Sequence, residues 1–159
     1  MFAGKTEALI ARAFSVRHRR VLKPTTDTRN GGSSHLLSHG GLSIAAEWVD
    51  PDLERLPNAT TIFIDEAQFL TAAAVERVRR LQPTTNITLA GLDLTAQGRP
   101  FGNMAEFLCL ADEVIKLTGG CATCGRPSTR TRCKIVQTDV VMIGGAEAYE
   151  PLCQTCFSQ

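Results

Sequence analysis

The stretch that most limits what this chain can fold into is Thr60-Thr61-Ile62-Phe63-Ile64-Asp65-Glu66-Ala67-Gln68-Phe69. A short apolar, β-branched run reads as a buried strand. This one ends on two adjacent carboxylates. In open α/β sheets, ligands gather outside the carboxyl ends of the strands, so the pair marks a working edge. Period-two alternation sends Asp65 and Glu66 to opposite sides. The two need not share one job, which leaves one carboxylate free to hold a metal and the other to face a second substrate.

Near the amino end stands Gly4-Lys5-Thr6, the tail of a phosphate-binding loop. Leu9, Ile10, Ala13 and Phe14 recur at helical spacing, which predicts a helix over Thr6–Val16 immediately after the glycine. A helix start offers free N–H groups and a positive dipole end to phosphate oxygens. Lys5 is expected to reach the β/γ-phosphates and the Thr6 hydroxyl to touch Mg²⁺, the ion that Asp65 would help to hold. The plain alternative is a glycine-broken end with a solvated lysine. The full loop pattern has a further glycine and a feeding strand upstream of Gly4. A chain starting at Met1 is thus expected to expose sheet edge and core surface, to be poorly stable and to bind ATP weakly.

The rest of the chain alternates short apolar runs with amphipathic ones. Strands are expected at Val21–Lys23, Leu42–Val49, Ile62–Asp65, Asn86–Leu92 and Glu113–Leu117. Helices are expected at Pro51–Leu56, Ala72–Leu81 and Asn103–Leu110, with a polar loop over Thr25–Gly41. That order indicates a P-loop-like α/β fold, a parallel sheet with helices on both faces. Length fits one domain with a small appendage, and the hydrophobic fraction of 43% supplies a real core. A net charge of +1 excludes a general polyanion-binding surface, so no stable nucleic-acid partner is expected. No run is long and apolar enough to span a bilayer, and no signal peptide is visible. A cytoplasmic protein is the expectation.

Of six cysteines, four fall in two knuckles, Cys121-Ala-Thr-Cys124 and Cys153-Gln-Thr-Cys156. Two C-x-x-C pairs complete a closed tetrahedral S₄ site, so structural Zn²⁺ is expected; paired disulfides or a redox couple are the alternatives. The composition changes at Thr118-Gly119-Gly120. Residues 1–118 are expected to form the nucleotide-binding domain and residues 119–159 a small zinc-ribbon-like domain with too little core of its own. Cys109 is expected to be a buried small hydrophobe, and Cys133 has no evident role.

Taken in order, Phe2-Ala3-Gly4-Lys5-Thr6, Asp27-Thr28-Arg29, Ile64-Asp65-Glu66-Ala67-Gln68-Phe69, Pro100-Phe101-Gly102, the two knuckles, and Ile143-Gly144-Gly145 through Tyr149 resemble the type II thymidine kinases over nearly the whole chain. That resemblance implies phosphoryl transfer from ATP, with Mg²⁺, to thymidine, giving ADP and thymidine 5′-monophosphate, by an enzyme that is usually a tetramer. By position it implies that Glu66 is the general base for the 5′-hydroxyl and Asp65 the carboxylate that organises Mg²⁺. It brings Met1, Phe2, Ala3, Gly4, Lys5, Thr6, Asp27, Thr28, Arg29, Asp65 and Gln68 to ATP.

The same resemblance assigns the base to a lasso, Val140-Val141-Met142-Ile143-Gly144, with Tyr149 closing over it, Thr131 near the thymine methyl, and Phe69 and Phe101 lining the pocket. For both phenylalanines ordinary core packing is the plain alternative. The chain departs from the pattern at Ala96, where a phenylalanine is usual, and at Cys133, where an arginine is common. A catalytically impaired zinc protein on the same scaffold, or a P-loop ATPase acting on nucleic acid through its zinc ribbon, are the competing readings.

Overall fold

The computed structural model describes residues 2–26, 34–135 and 145–159. The expected contributions of Met1, Asp27, Thr28, Arg29 and the lasso residues Val140, Val141, Met142, Ile143 and Gly144 lie outside the described residues.

Helix α1 (Lys5–Phe14) leads into β1 (Arg20–Pro24), the hairpin strands β2 (His35–Leu37) and β3 (Ser43–Ala45), then β4 (Glu47–Val49) and β5 (Thr61–Ile64). After a 3₁₀ turn at Ala67–Phe69 come α2 (Ala72–Leu81), β6 (Asn86–Leu89) and α3 (Met104–Leu110). Short strands β7 (Gly119–Gly120), β8 (Pro127–Ser128), β9 (Arg130–Cys133) and β10 (Tyr149–Leu152) and the one-turn α4 (Gln154–Phe157) complete the described chain.

Four strands build one parallel sheet in the order β4-β1-β5-β6. Its registers pair Val21 with Phe63, Leu22 with Ile64, and Ile64 with Leu89. The two faces are separate cores. Leu22, Ile62 and Ile64 pack with Val75 and Val78 of α2 and with Met104 and Phe107 of α3. Val21 and Phe63 pack on the other side, with Leu9, Ile10 and Ala13 of α1 and with Leu36 and Ile44 of the hairpin. Because β5 is covered on both faces, its apolar residues run without alternation. The expected α/β fold with helices on both faces is the observed one.

Local departures have physical causes. The stretch 42–49 is two strands: β3 pairs antiparallel with β2, whereas β4 joins the main sheet, and the chain changes partner at the buried Ala46. Pro51–Leu56 is not a helix, because Leu53 adopts a left-handed φ of 56° and the Asp50 side chain accepts the Glu54 amide in a local turn. Glu113–Leu117 forms no strand among the described residues, although Val114 and Ile115 have strand-like side chains. Cys109 is exposed, not buried. Helix α3 turns Met104 and Phe107 inward at a spacing of three, and Cys109 falls on the other side.

Candidate functional site

Strand β5 ends at Ile64, and the next two residues leave the sheet in different ways. Asp65 keeps a ladder bond, its amide donating to the Leu22 carbonyl at 3.1 Å. Its carboxylate meets the first turn of α1, where the Thr6 hydroxyl donates to Oδ2 at 2.8 Å. Asp65 is only 3% exposed, and its Oδ1 is buried without a hydrogen-bond partner among the described residues. Burial, reinforced by the charge of Glu66, pushes the Asp65 carboxyl up to about 6, against the opposing Thr6 hydrogen bond and the Lys5 charge.

Glu66 turns away through a left-handed backbone, φ 52° and ψ 40°. That conformation is costly for a residue with a Cβ and clusters at functional positions. Its Oε2 accepts from Gln68 Nε2 at 2.5 Å, while Gln68 Oε1 accepts the Leu92 amide at 3.0 Å. Gln68 is itself buried, so Glu66 is oriented by a side chain that the loop after β6 fixes in turn. The two carboxylates accept hydrogen bonds from different side chains, Asp65 from Thr6 and Glu66 from Gln68. Their divergence comes from a backbone reversal at Glu66 rather than from the pleat of a continuing strand.

At the amino end, Gly4 precedes α1 in a left-handed conformation, φ 70°, and accepts the Ala8 amide at 2.9 Å. Glycine adopts that backbone without the steric cost that a Cβ would bring. The start of α1, Lys5 and Thr6 thus reaches the carboxyl edge of β5, which is the geometry an anion-binding helix start requires. Phe69 and Phe101 meet edge-to-face, with ring centroids 5.9 Å apart at 84°. Gly102 brings its loop against the turn after β5: a Cβ there would lie 2.3 Å from the Gln68 carbonyl oxygen.

The four knuckle cysteines converge. Their sulfurs all lie within 4.8 Å of one another, with Cys124 Sγ 3.7 Å from Cys153 Sγ. No described cysteine is in a disulfide. Tetrahedral zinc–thiolate bonds of about 2.3 Å require sulfur separations of about 3.8 Å, so the cluster has the right size for Zn²⁺. Its electrostatics agree. The Arg126 guanidinium donates to Cys124 Sγ at 3.4 Å and pulls that thiol down to about 6. Hydrogen bonding with Cys153, then with Cys124, pushes Cys156 up to about 12. Four sulfurs this close do not all ionise without a cation among them.

The sequence model of the thymidine kinase family, described as thymidine kinase, matches residues 1–157. The chain belongs to the thymidine kinase family. It is 38% identical over 167 aligned residues to a thymidine kinase of Coprothermobacter proteolyticus (strain ATCC 35245 / DSM 5265 / OCM 4 / BT), covering 96% of this chain and 84% of that protein. Membership in this family makes the protein a kinase, a phosphotransferase, and its four-cysteine cluster can hold zinc.

As a thymidine kinase family member, the chain brings together Thr6, Asp65, Glu66 and Gln68, with Phe69 beside Phe101. Thr131 and Tyr149 lie on β9 and β10, which pair antiparallel; Tyr149 is opposite Cys133 and is buried. Cys133 Sγ donates to the Ile135 carbonyl. Ala96 sits in a turn closed by Thr95 and Arg99, whose amide and carbonyl meet at 2.8 Å. Sequence reasoning overlooked Leu92, whose amide anchors Gln68, and Gly91, where a Cβ would lie 2.9 Å from Gln68 Oε1. The available signal was the small residue between the apolar β6 run and Asp93.

Proposed function

We propose that this chain transfers the γ-phosphoryl group of ATP to the 5′-hydroxyl of thymidine, giving ADP and thymidine 5′-monophosphate. The observation that carries the reading is the meeting of Thr6 with Asp65, whose second oxygen is buried and unsatisfied, next to a Glu66 that Gln68 orients separately. Thr6 and Asp65 present hard oxygen donors, which suit Mg²⁺ bound with ATP. When bound, that ion neutralises phosphate charge and helps to align the reacting oxygens.

Within this reading the chain's own groups divide the work. The start of α1 and Lys5 hold phosphate oxygens, helped by Met1, Phe2, Ala3, Asp27, Thr28 and Arg29. Glu66 accepts the proton of the 5′-hydroxyl as its oxygen attacks phosphorus. Gln68 keeps the carboxylate aimed, so that less reorganisation is needed at the moment of transfer. Phe69, Phe101, Thr131, Tyr149 and the backbone of residues 140–144 enclose the nucleoside. In this arrangement residues 1–118 bind the nucleotide, and residues 119–159 are a zinc domain that presents the lasso. A cytoplasmic homotetramer is part of the same proposal.

The test follows ADP release from ATP and Mg²⁺ with thymidine, deoxyuridine, deoxycytidine or single-stranded DNA in parallel. Thymidine-dependent release with equimolar thymidine monophosphate is the expected result. Release driven by DNA alone, or none with any nucleoside, overturns the reading.

A further inference from the structure

The largest fully buried side chain among the described residues is a lysine. Lys23, at 0% exposure, stands near the carboxyl end of β1, and no step of the proposed transfer uses it. Its surroundings follow from the strand registers. On one side its ladder partner is Trp48 of β4. On the other side Leu22 pairs with Ile64, so one step further along that ladder Lys23 stands beside Asp65. Val21 and Phe63 share the face that packs on α1, and two residues on, Lys23 and Asp65 share it too. Trp48, Lys23 and Asp65 therefore form a row across three neighbouring chain segments.

A buried ammonium in that row is drawn to both neighbours. Adjacent strands lie about 4.8 Å apart, so the Asp65 carboxylate is within reach of a lysine side chain there. The structure shows the other choice. Lys23 Nζ lies over the Trp48 ring, 4.0 Å from its centroid, and donates to the His35 carbonyl at 3.2 Å. An aromatic face attracts a cation most strongly where water is excluded, as it is here. Asp65 meanwhile takes the Thr6 hydroxyl on Oδ2, and its Oδ1 has no hydrogen-bond partner among the described residues. An ion pair with Lys23 would occupy that oxygen and cancel the charge that a hard cation seeks.

We propose that Trp48 is a positioning residue for the Asp65 site: its ring, with the His35 carbonyl, holds the Lys23 ammonium off Asp65 and keeps that carboxylate open to a divalent cation. Trp48 acts here through Lys23. Without the ring, the ammonium crosses one strand to Asp65, and the resulting pair competes with the metal. The role belongs to an aromatic face, so Trp48→Phe keeps it and Trp48→Leu does not. The consequence for Mg²⁺ rests on the phosphoryl-transfer reading. The hold of Trp48 on Lys23 does not.

The experiment has two arms. The first follows the Lys23 side-chain NMR signals without nucleotide or metal, using Asp65→Asn as the probe. In the wild type these signals are expected to carry the upfield ring-current shift of Trp48 and to change little with Asp65→Asn. In Trp48→Leu that shift is lost, and Asp65→Asn is then expected to move the signals strongly. The second arm measures Mg²⁺–ATP binding by calorimetry. Trp48→Leu is expected to weaken binding by about tenfold or more, as for loss of a group that orients a metal ligand. Trp48→Phe is expected to stay near the wild-type affinity, and Lys23→Met added to Trp48→Leu to restore most of the loss. Trp48→Met takes the place of the leucine variant if that one does not fold. Lys23 signals that ignore Asp65→Asn in the Trp48→Leu background overturn the proposal, and so does failure of Lys23→Met to restore binding. Lys23→Met alone weakening binding as much as Trp48→Leu also overturns it, by placing Lys23 on the phosphates. A wild type that binds no Mg²⁺–ATP, with the first arm as expected, sinks the phosphoryl-transfer reading and leaves the hold of Trp48 on Lys23 standing.

Discussion

The carboxylates after β5 and the thiols of the two knuckles are both clusters of like groups, but opposite means hold them. Asp65 and Glu66 follow directly on β5, a strand buried on both faces, so the sheet and its helices fix where they leave it. The cost falls on Asp65, where burial first and the charge of Glu66 second push the carboxyl up to about 6. Among the described residues, the core around the cysteines is Leu152 and the cysteines themselves, with Phe157 against them. A metal, which these four cysteines can hold, would add the stability that so small an apolar core does not. One cluster is held by the packing of the main sheet; the other has little packing of its own and can hold a metal.

The hardest test of that contrast is removal of zinc. Chelation, or Cys153→Ser, is expected to abolish stoichiometric zinc binding and to bring the β9 and β10 amides close to unfolded exchange rates, while β5 stays protected. Structural zinc sites contribute on the order of 10 kcal/mol. Full zinc content in the variant would show that the ligand set is different.

Glu66→Gln probes the preformed site. Transfer to thymidine is expected to fall by about 10²–10⁴-fold with ATP binding nearly unchanged, as for loss of a general base. An unaltered rate would take Glu66 out of that role, and lost nucleotide affinity would mean that it shapes the triphosphate site instead.

Asp65 makes the third comparison one of stability against pH. Its folded pKa of about 6 lies above the ordinary value of 3.8, so between them the native state binds the extra proton. Stability should therefore fall as pH rises from about 4 to about 6, by a few kcal/mol at most. Asp65→Asn should flatten this part of the profile and stabilise the ligand-free protein, while weakening Mg²⁺-dependent nucleotide binding. A profile unchanged by the substitution would assign the dependence to other groups.

The smallest expected effect concerns the nucleoside pocket. Ala96→Phe should tighten thymidine binding by roughly 0.5–1.5 kcal/mol if a ring there stacks on the base. Titration calorimetry reads this directly, and no change would place the 95–99 turn away from the nucleoside.

How much of this was legible depended on whether a residue's role is local. The α2 helix, Ala72–Leu81, falls where its amphipathic spacing puts it, because Ala74, Val75 and Val78 turn one face inward over its whole length. The cysteine pairing was equally plain, since C-x-x-C spacing is a property of a few consecutive residues. The segment 113–117 misled for the opposite reason. Val114 and Ile115 suit a strand, but a strand exists only with a ladder partner, and composition carries no information about the neighbour. The aim of Glu66 was half legible: two carboxylates ending a strand had to diverge, but the left-handed turn and the hold of Gln68 and Leu92 depend on a loop more than twenty residues away.

By itself the sequence determined most element types, the buried central strand, the glycine-led start of α1 and the four cysteines that can hold a metal. Each of these follows from periodicity or spacing over short distances. Only the tertiary structure decided that Thr6 closes on Asp65 and that, among the described residues, one oxygen of that carboxylate has no hydrogen-bond partner and β6 is the last strand of the main sheet. Those facts arise where separate elements meet, and side-chain desolvation and strand pairing are set by what lies across the gap rather than by what comes next in the chain.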